Sequence, residues 1–183
     1  MYIFLVGVSC VGKSTIGNRL AEKIDFLFFD LDEEIEGFFG KSTEQIQNQY
    51  ISGYSYREEG AKVLKKIIDT NKNDDIVVGL TPKGLHDWYY KLIKKSGATV
   101  FELKDTPSNI LDRIVFYDED SNLMEKNLTE DDKRYYLSEI KKDISYYRKF
   151  YKRAHYHVDI SGLDVEGSVK KLEKLIEEDY GKR

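Results

Sequence analysis

The stretch Tyr2-Ile3-Phe4-Leu5-Val6-Gly7-Val8-Ser9-Cys10-Val11-Gly12-Lys13-Ser14-Thr15 decides the architecture. Its first five residues are apolar or aromatic and read as a buried strand. Gly7 and Gly12 then bracket four residues, which predicts a tight loop whose backbone N–H groups converge on one point. Lys13 adds a cation and Ser14 a hydroxyl. From Lys13 to Ile24 the residues Ile16, Leu20 and Ile24 mark one face of a helix, whose positive dipole end aims back at the loop. Strand, glycine loop, lysine, hydroxyl and helix in this order make a cradle for phosphate. The expected contacts to a nucleoside triphosphate come from Gly7, Val11, Gly12, Lys13, Ser14 and Thr15, with the Ser14 hydroxyl on Mg2+.

Outward from this loop, short apolar runs alternate with amphipathic stretches. The spacing predicts strands at Tyr2–Val6, Phe26–Phe29, Ile76–Val78, Thr99–Leu103 and Tyr156–Ile160. It predicts helices over Lys13–Ile24, Tyr56–Asp69, Gly84–Lys95, Pro107–Phe116, Asp131–Tyr151 and Val165–Glu178. Strands separated by helices need crossover connections, hence an α/β fold: a three-layer α/β/α P-loop NTPase with a five-stranded parallel sheet. The 183 residues carry no internal repeat and no dividing linker, so one domain is expected over 1–183. The acidic, weakly periodic stretch from Tyr117 to Asp132 reads as a loop or a lid.

Composition excludes several classes. There are 29 basic and 33 acidic residues, a net charge of −4, so no global basic field favours nucleic acid or an anionic membrane. Cys10 is the single cysteine, which rules out an intramolecular disulfide and a cysteine-built zinc cage, and fits a reducing cytoplasm. The opening apolar run has no Lys or Arg before it and is interrupted by Gly7 and Ser9, so it is read as a strand and not a secretory leader. Nothing approaches the roughly 18 apolar residues of a membrane span. Asn71-Lys72-Asn73-Asp74 matches a guanine-reading string, but it follows a helix and precedes a strand, where such residues simply build a turn. His155 and His157 lie two apart on one exposed strand face. Tyr136, Ile140, Ile144, Tyr147 and Tyr151 follow helical spacing and form a core stripe rather than a base-stacking platform.

Phe26–Phe29 runs into Asp30-Leu31-Asp32-Glu33-Glu34-Ile35. Ligands of such sheets sit beyond the carboxyl ends of the strands, so Asp30 and Asp32 are expected to face the phosphates. A carboxylate there could hold a magnesium-bound water or accept a hydroxyl proton from an alcohol. The alternative is that either merely caps the helix that follows.

Here the sequence resembles the shikimate kinases. The resemblance rests on Lys13-Ser14-Thr15 with Leu20-Ala21, on Phe29-Asp30-Leu31-Asp32-Glu33-Glu34-Ile35-Glu36, and on Gly40, Ile46 and Tyr56-Arg57. It implies ATP and Mg2+ as cofactors and phosphoryl transfer to a small hydroxy acid, most simply shikimate. It places Asp30 with Ser14 near the magnesium, Asp32 on the acceptor hydroxyl as base, and Arg57 on the acceptor carboxylate, a role that suits a guanidinium fork. Arg113 matches an arginine that packs on adenine. The acceptor-binding helical segment falls at about 31–62 and the lid at about 117–132. Four positions depart from the pattern. A Gly-Gly-Gly run becomes Gly79-Leu80-Thr81-Pro82, and a glutamate that supports the arginine becomes Gly60. The lid's Arg-Pro becomes Lys126-Asn127, with Lys126 closing over the phosphates. A late arginine becomes Tyr147, beside Arg148. Expected acceptor contacts are Asp32, Arg57, Gly79 and Arg148, in a monomeric enzyme without nucleic-acid or membrane partners. A kinase for another polyol, sugar acid or nucleoside, and an ATP-binding regulatory protein without catalysis, are the alternatives.

Overall fold

The computed structural model describes residues 1–49, 53–118, 120 and 122–180. In chain order the elements are β1 (Tyr2–Val6), α1 (Lys13–Ile24), β2 (Leu27–Asp30), α2 (Leu31–Phe39), α3 (Thr43–Gln49), α4 (Gly53–Thr70), β3 (Ile76–Gly79) and α5 (Asp87–Ser96). They continue as β4 (Thr99–Lys104), α6 (Pro107–Leu111), β5 (Phe116–Tyr117), β6 (Leu123–Met124), α7 (Glu130–Tyr151), β7 (Tyr156–Asp159) and α8 (Val165–Tyr180). The main sheet has the order β2-β3-β1-β4-β7, and every pairing in it is parallel. This is the expected three-layer α/β/α sheet of five strands.

Sequence pattern explains the core. Ile3 to Val6 of the central strand and Ile76 to Val78 beside it are fully buried, as a strand covered on both faces requires. Ile16, Leu20 and Ala21 press α1 onto the sheet, and Val169, Leu172 and Ile176 do the same for α8. Each large apolar side chain so buried contributes about 1.5–3 kcal/mol. The stripe on α7 is indeed core: Ile140, Tyr147 and Tyr151 are buried, and the Tyr147 and Tyr151 rings stack at 5.6 Å. Asn71 to Asp74 form the turn that ends α4, with the Asn71 side chain donating to Ile67 O. His155 and His157 are exposed, and His157 pairs with Glu102.

Two expectations need correction. The helix predicted over Pro107–Phe116 stops at Leu111, after which Arg113 and Ile114 bond back to Ile110 and Leu111 in tight turns. Phe116 and Tyr117 instead pair antiparallel with Met124 and Leu123, because an Ile-Val-Phe-Tyr run is better suited to a strand than a helix. The helix predicted from Gly84 begins at Asp87, since residues 81–86 are spent on turns described below. The segment 31–62 is helical in pieces: Gly40, at φ 62°, ends α2, and α3 and α4 follow.

Gly60 has a packing reason. A β-carbon there would stand 2.1 Å from the hydroxyl of Tyr89, which is fully buried, and 3.0 Å from Ile35. The position of the family glutamate is filled by a tyrosine from α5. Gly60→Ala should cost about 2 kcal/mol in chemical denaturation, and adding Tyr89→Phe should return part of that loss. Strict additivity of the two changes would show that they do not touch.

Candidate active site

The loop between β1 and α1 leaves the carboxyl end of the central strand. Gly7 lies so close to β4 that a β-carbon would stand 2.8 Å from Leu103 O, and Gly12 caps α1 at φ 109°. Val11 is wholly buried beneath the loop, while Ser14 and Thr15 are exposed at the helix start. Lys13 is buried, and its Nζ donates to Gly7 O at 3.1 Å and Val8 O at 2.9 Å. Burial pushes its pKa down, while Asp32 and Asp30 pull it back up.

Across from it, β2 passes directly into α2 at Asp30, and the capping reading of this residue holds. Asp30 Oδ1 accepts from Asp32 N at 3.0 Å and so caps the helix, while Oδ2 accepts from Ser14 Oγ at 2.5 Å. Asp32, one residue into α2, is pushed up to about 6 by burial, with Lys13 opposing the rise and Asp30 adding to it. β3 lies between β1 and β2, and its last residue, Gly79, sits beside both charges. A methyl there would touch Asp30 Oδ2 at 3.5 Å and the Lys13 β-carbon at 3.9 Å.

Lys13, Ser14, Asp30 and Asp32 line a cleft of about 990 Å³ together with Ser9, Cys10, Glu33, Glu36, Lys83, Asp118 and Tyr147, whereas Gly7, Val11, Gly12, Thr15 and Gly79 are not among its described lining residues. Acidic groups outnumber cations among the described lining residues. A polyphosphate in so acidic a cleft needs a divalent cation, and the hydroxyl–carboxylate pair Ser14–Asp30 is the hard oxygen donor set that Mg2+ takes.

The other expected site residues divide. Arg57, half-buried on α4, carries its charge toward His86 and Tyr147, while its neighbour Glu59 pairs with Lys62. Arg57 is not among the described residues lining the cleft. Arg113 is bound to the buried carboxylate of Asp105. Arg148 is exposed on α7 next to the inward Tyr147. Lys126 also stands outside the cleft: its Nζ donates to Tyr136 Oη at 3.2 Å and lies 5.0 Å over the Phe116 ring. The stretch 117–132 carries Tyr117 on the β5–β6 hairpin and Asp118 just after it into the cleft, and Gln45 of α3 donates to Asp120 at 2.9 Å. His86 stacks on Phe150 at 3.7 Å, and Trp88 is exposed with Lys91 over its ring. Sequence reasoning did not find Lys83, because a lone lysine after a proline carries no motif.

A phosphate cradle, a facing carboxylate pair and a β2-β3-β1-β4-β7 parallel sheet define a P-loop protein of the small-kinase architecture. The family is also defined: the shikimate kinase model matches residues 9–177, and the chain belongs to that family. A bifunctional shikimate kinase/3-dehydroquinate synthase of Thermotoga maritima is 34% identical over 114 residues, covering 62% of this chain and 22% of that protein. A shikimate kinase of Chlorobium phaeobacteroides is 37% identical over 105 residues, 54% of this chain and 50% of that protein. The chain thus spans half or less of the length of these two relatives. The shikimate kinase structure from Bacteroides thetaiotaomicron superposes with a TM-score of 0.79 at 21% identity, covering 97% of this chain and 98% of that one. No helix among the described residues is long and apolar enough to cross a membrane.

Two outcomes follow from the charges. Lys13→Ala should weaken ADP binding about 100-fold in calorimetric titration, since charge-assisted bonds to phosphate are lost, while Arg57→Ala leaves ADP affinity unchanged. The pKa of Asp32 is higher folded (about 6) than the ordinary 3.8, so the folded state holds its proton more tightly. Stability therefore falls as pH rises through this window. Asp32→Asn should stabilise the protein by about 1–3 kcal/mol at pH 7.5 and by little at pH 4, read from denaturation midpoints.

Proposed function

We propose that the protein transfers the γ-phosphate of ATP to a hydroxyl of shikimate. The observation that carries this reading is Asp32, a half-buried carboxylate facing Lys13 across one cleft. Asp32 accepts the hydroxyl proton as the acceptor oxygen bonds to phosphorus and the bond to the ADP oxygen breaks. Lys13 and the loop amides hold the charge that spreads over the transferred group. Ser14 and Asp30 are the residues to hold Mg2+, which when bound neutralises phosphate charge. Arg57 orients the acceptor's carboxylate from the α4 side, and Gly79 gives the acceptor room beside Asp32. Catalysis of this kind is chiefly positioning and charge neutralisation. The reading includes a monomer acting in the cytoplasm, with a lid formed by about 117–132 that brings Lys126 over the phosphates.

The changes at Gly60, Leu80 to Pro82 and Tyr147 all fall on the acceptor side, which favours a related hydroxy acid or polyol as the second reading. The retained Lys13–Asp32 pair speaks against a protein that has lost catalysis altogether. ADP release measured with shikimate, gluconate and nucleosides as acceptors decides among these, and strong turnover of another acceptor with none of shikimate would refute the proposal. Because the base must be ionised, kcat/KM should rise about tenfold per pH unit up to a bend near 6 and then level. Asp32→Asn should lower kcat about 100-fold or more.

A further inference from the structure

The β3–α5 connection is a constructed turn. Leu80 N donates to Leu5 O at 2.8 Å, continuing the sheet one residue past Gly79. Gly84 N then closes on Thr81 O at 2.8 Å, so Pro82 and Lys83 occupy the two central positions of a β-turn, with proline at the first. His86 N closes a second turn on Lys83 O at 2.9 Å. The last residue of α7 and Arg153, two residues beyond it, hold this loop: Tyr151 Oη donates to Pro82 O at 3.0 Å and Arg153 Nη1 to Leu85 O at 2.8 Å. Such a turn fixes where its tip residue emerges, and Lys83 emerges into the cleft with Asp32 and Tyr147.

Lys13 and Lys83 are the cations among the described lining residues. Lys13 belongs to the phosphate end, held on Gly7 O and Val8 O. The Lys83 ammonium has no hydrogen bond or ion pair among the described residues. The groups that feel its charge are Asp32 on α2, Asp143 on α7 and His86 at the start of α5. Tyr147, in the register of the late arginine, stays a neutral phenol, its pKa pushed up to about 12 by burial. It can donate a hydrogen bond but supplies no charge.

We propose that Lys83 binds the acceptor's carboxylate, providing from the β3–α5 turn the second cation that α7 lacks at Tyr147. The proposal rests on the shikimate reading and deepens it. A carboxylate gripped by Arg57 and Lys83 is held by one guanidinium and one ammonium, so the acceptor is an anionic alcohol rather than a neutral polyol or a nucleoside. An ammonium is a point charge and imposes less orientation than a second fork.

Initial rates of wild type, Lys83→Ala and Lys83→Arg are compared on shikimate and on its uncharged methyl ester. Lys83→Ala should lower kcat/KM for shikimate about 10- to 50-fold, mostly through KM, and leave the KM for ATP unchanged. The ester's kcat/KM should stay within about twofold of wild type, and Lys83→Arg should restore most of the preference for the acid. If acid and ester fall together, if the KM for ATP rises instead, or if nothing changes, the assignment is overturned. Calorimetric titration of shikimate into the ADP complex separates this from the wider reading. Wild type binding shikimate no more tightly than Lys83→Ala removes only the role of Lys83. Wild type that neither binds nor phosphorylates shikimate removes both.

Discussion

A lysine ammonium stripped of water is unfavourable unless opposite charge or phosphate stands nearby, and this constraint organises the molecule. Lys13 is buried where the central strand gives way to α1, and Asp30 and Asp32 answer it from the next strand but one. The intervening strand ends in Gly79, where an added β-carbon would make only ordinary contact with Asp30 Oδ2 and Lys13. The parallel order puts three strand ends at the same edge, and the chemistry of the cleft follows from what each end carries: a phosphate loop, a carboxylate pair and a turn.

Asp30 shows how one residue serves both structure and site. Its two oxygens divide the work, one capping α2 and the other meeting Ser14. Helix start and candidate metal position are therefore set together. Asp32 inherits its place from that cap, because a residue at the first turn of a helix fixed by its neighbour has little freedom to turn away from Lys13.

The parts legible in the sequence were those with local signals. The loop from Gly7 to Thr15, the alternation of apolar runs and the position of Asp30 and Asp32 all follow from near-neighbour patterns, and the sheet follows from them. The rest depended on contacts between distant segments. Gly60 reads as an unexplained loss until Tyr89 is found filling its space. The β5–β6 hairpin has two-residue strands, too short for any periodicity. Lys126 looks free in the sequence, yet it lies on an aromatic pair that Phe116 and Tyr136 form only after α7 packs beside the hairpin. Lys83 becomes visible only once Pro82, Tyr151 and Arg153 are seen to fix its turn.

That turn also bears on how such proteins can be recombined. The Thr81–Gly84 turn is bolted to the end of the long seventh helix through Tyr151 and Arg153, and His86 stacks on Phe150 of the same helix. Grafting a glycine run into this chain would keep the backbone carbonyls that Tyr151 and Arg153 bind, but would remove the proline that fixes the turn presenting them. The exchangeable unit is thus the turn together with residues 146–153, two pieces more than sixty positions apart that inheritance must carry as a pair.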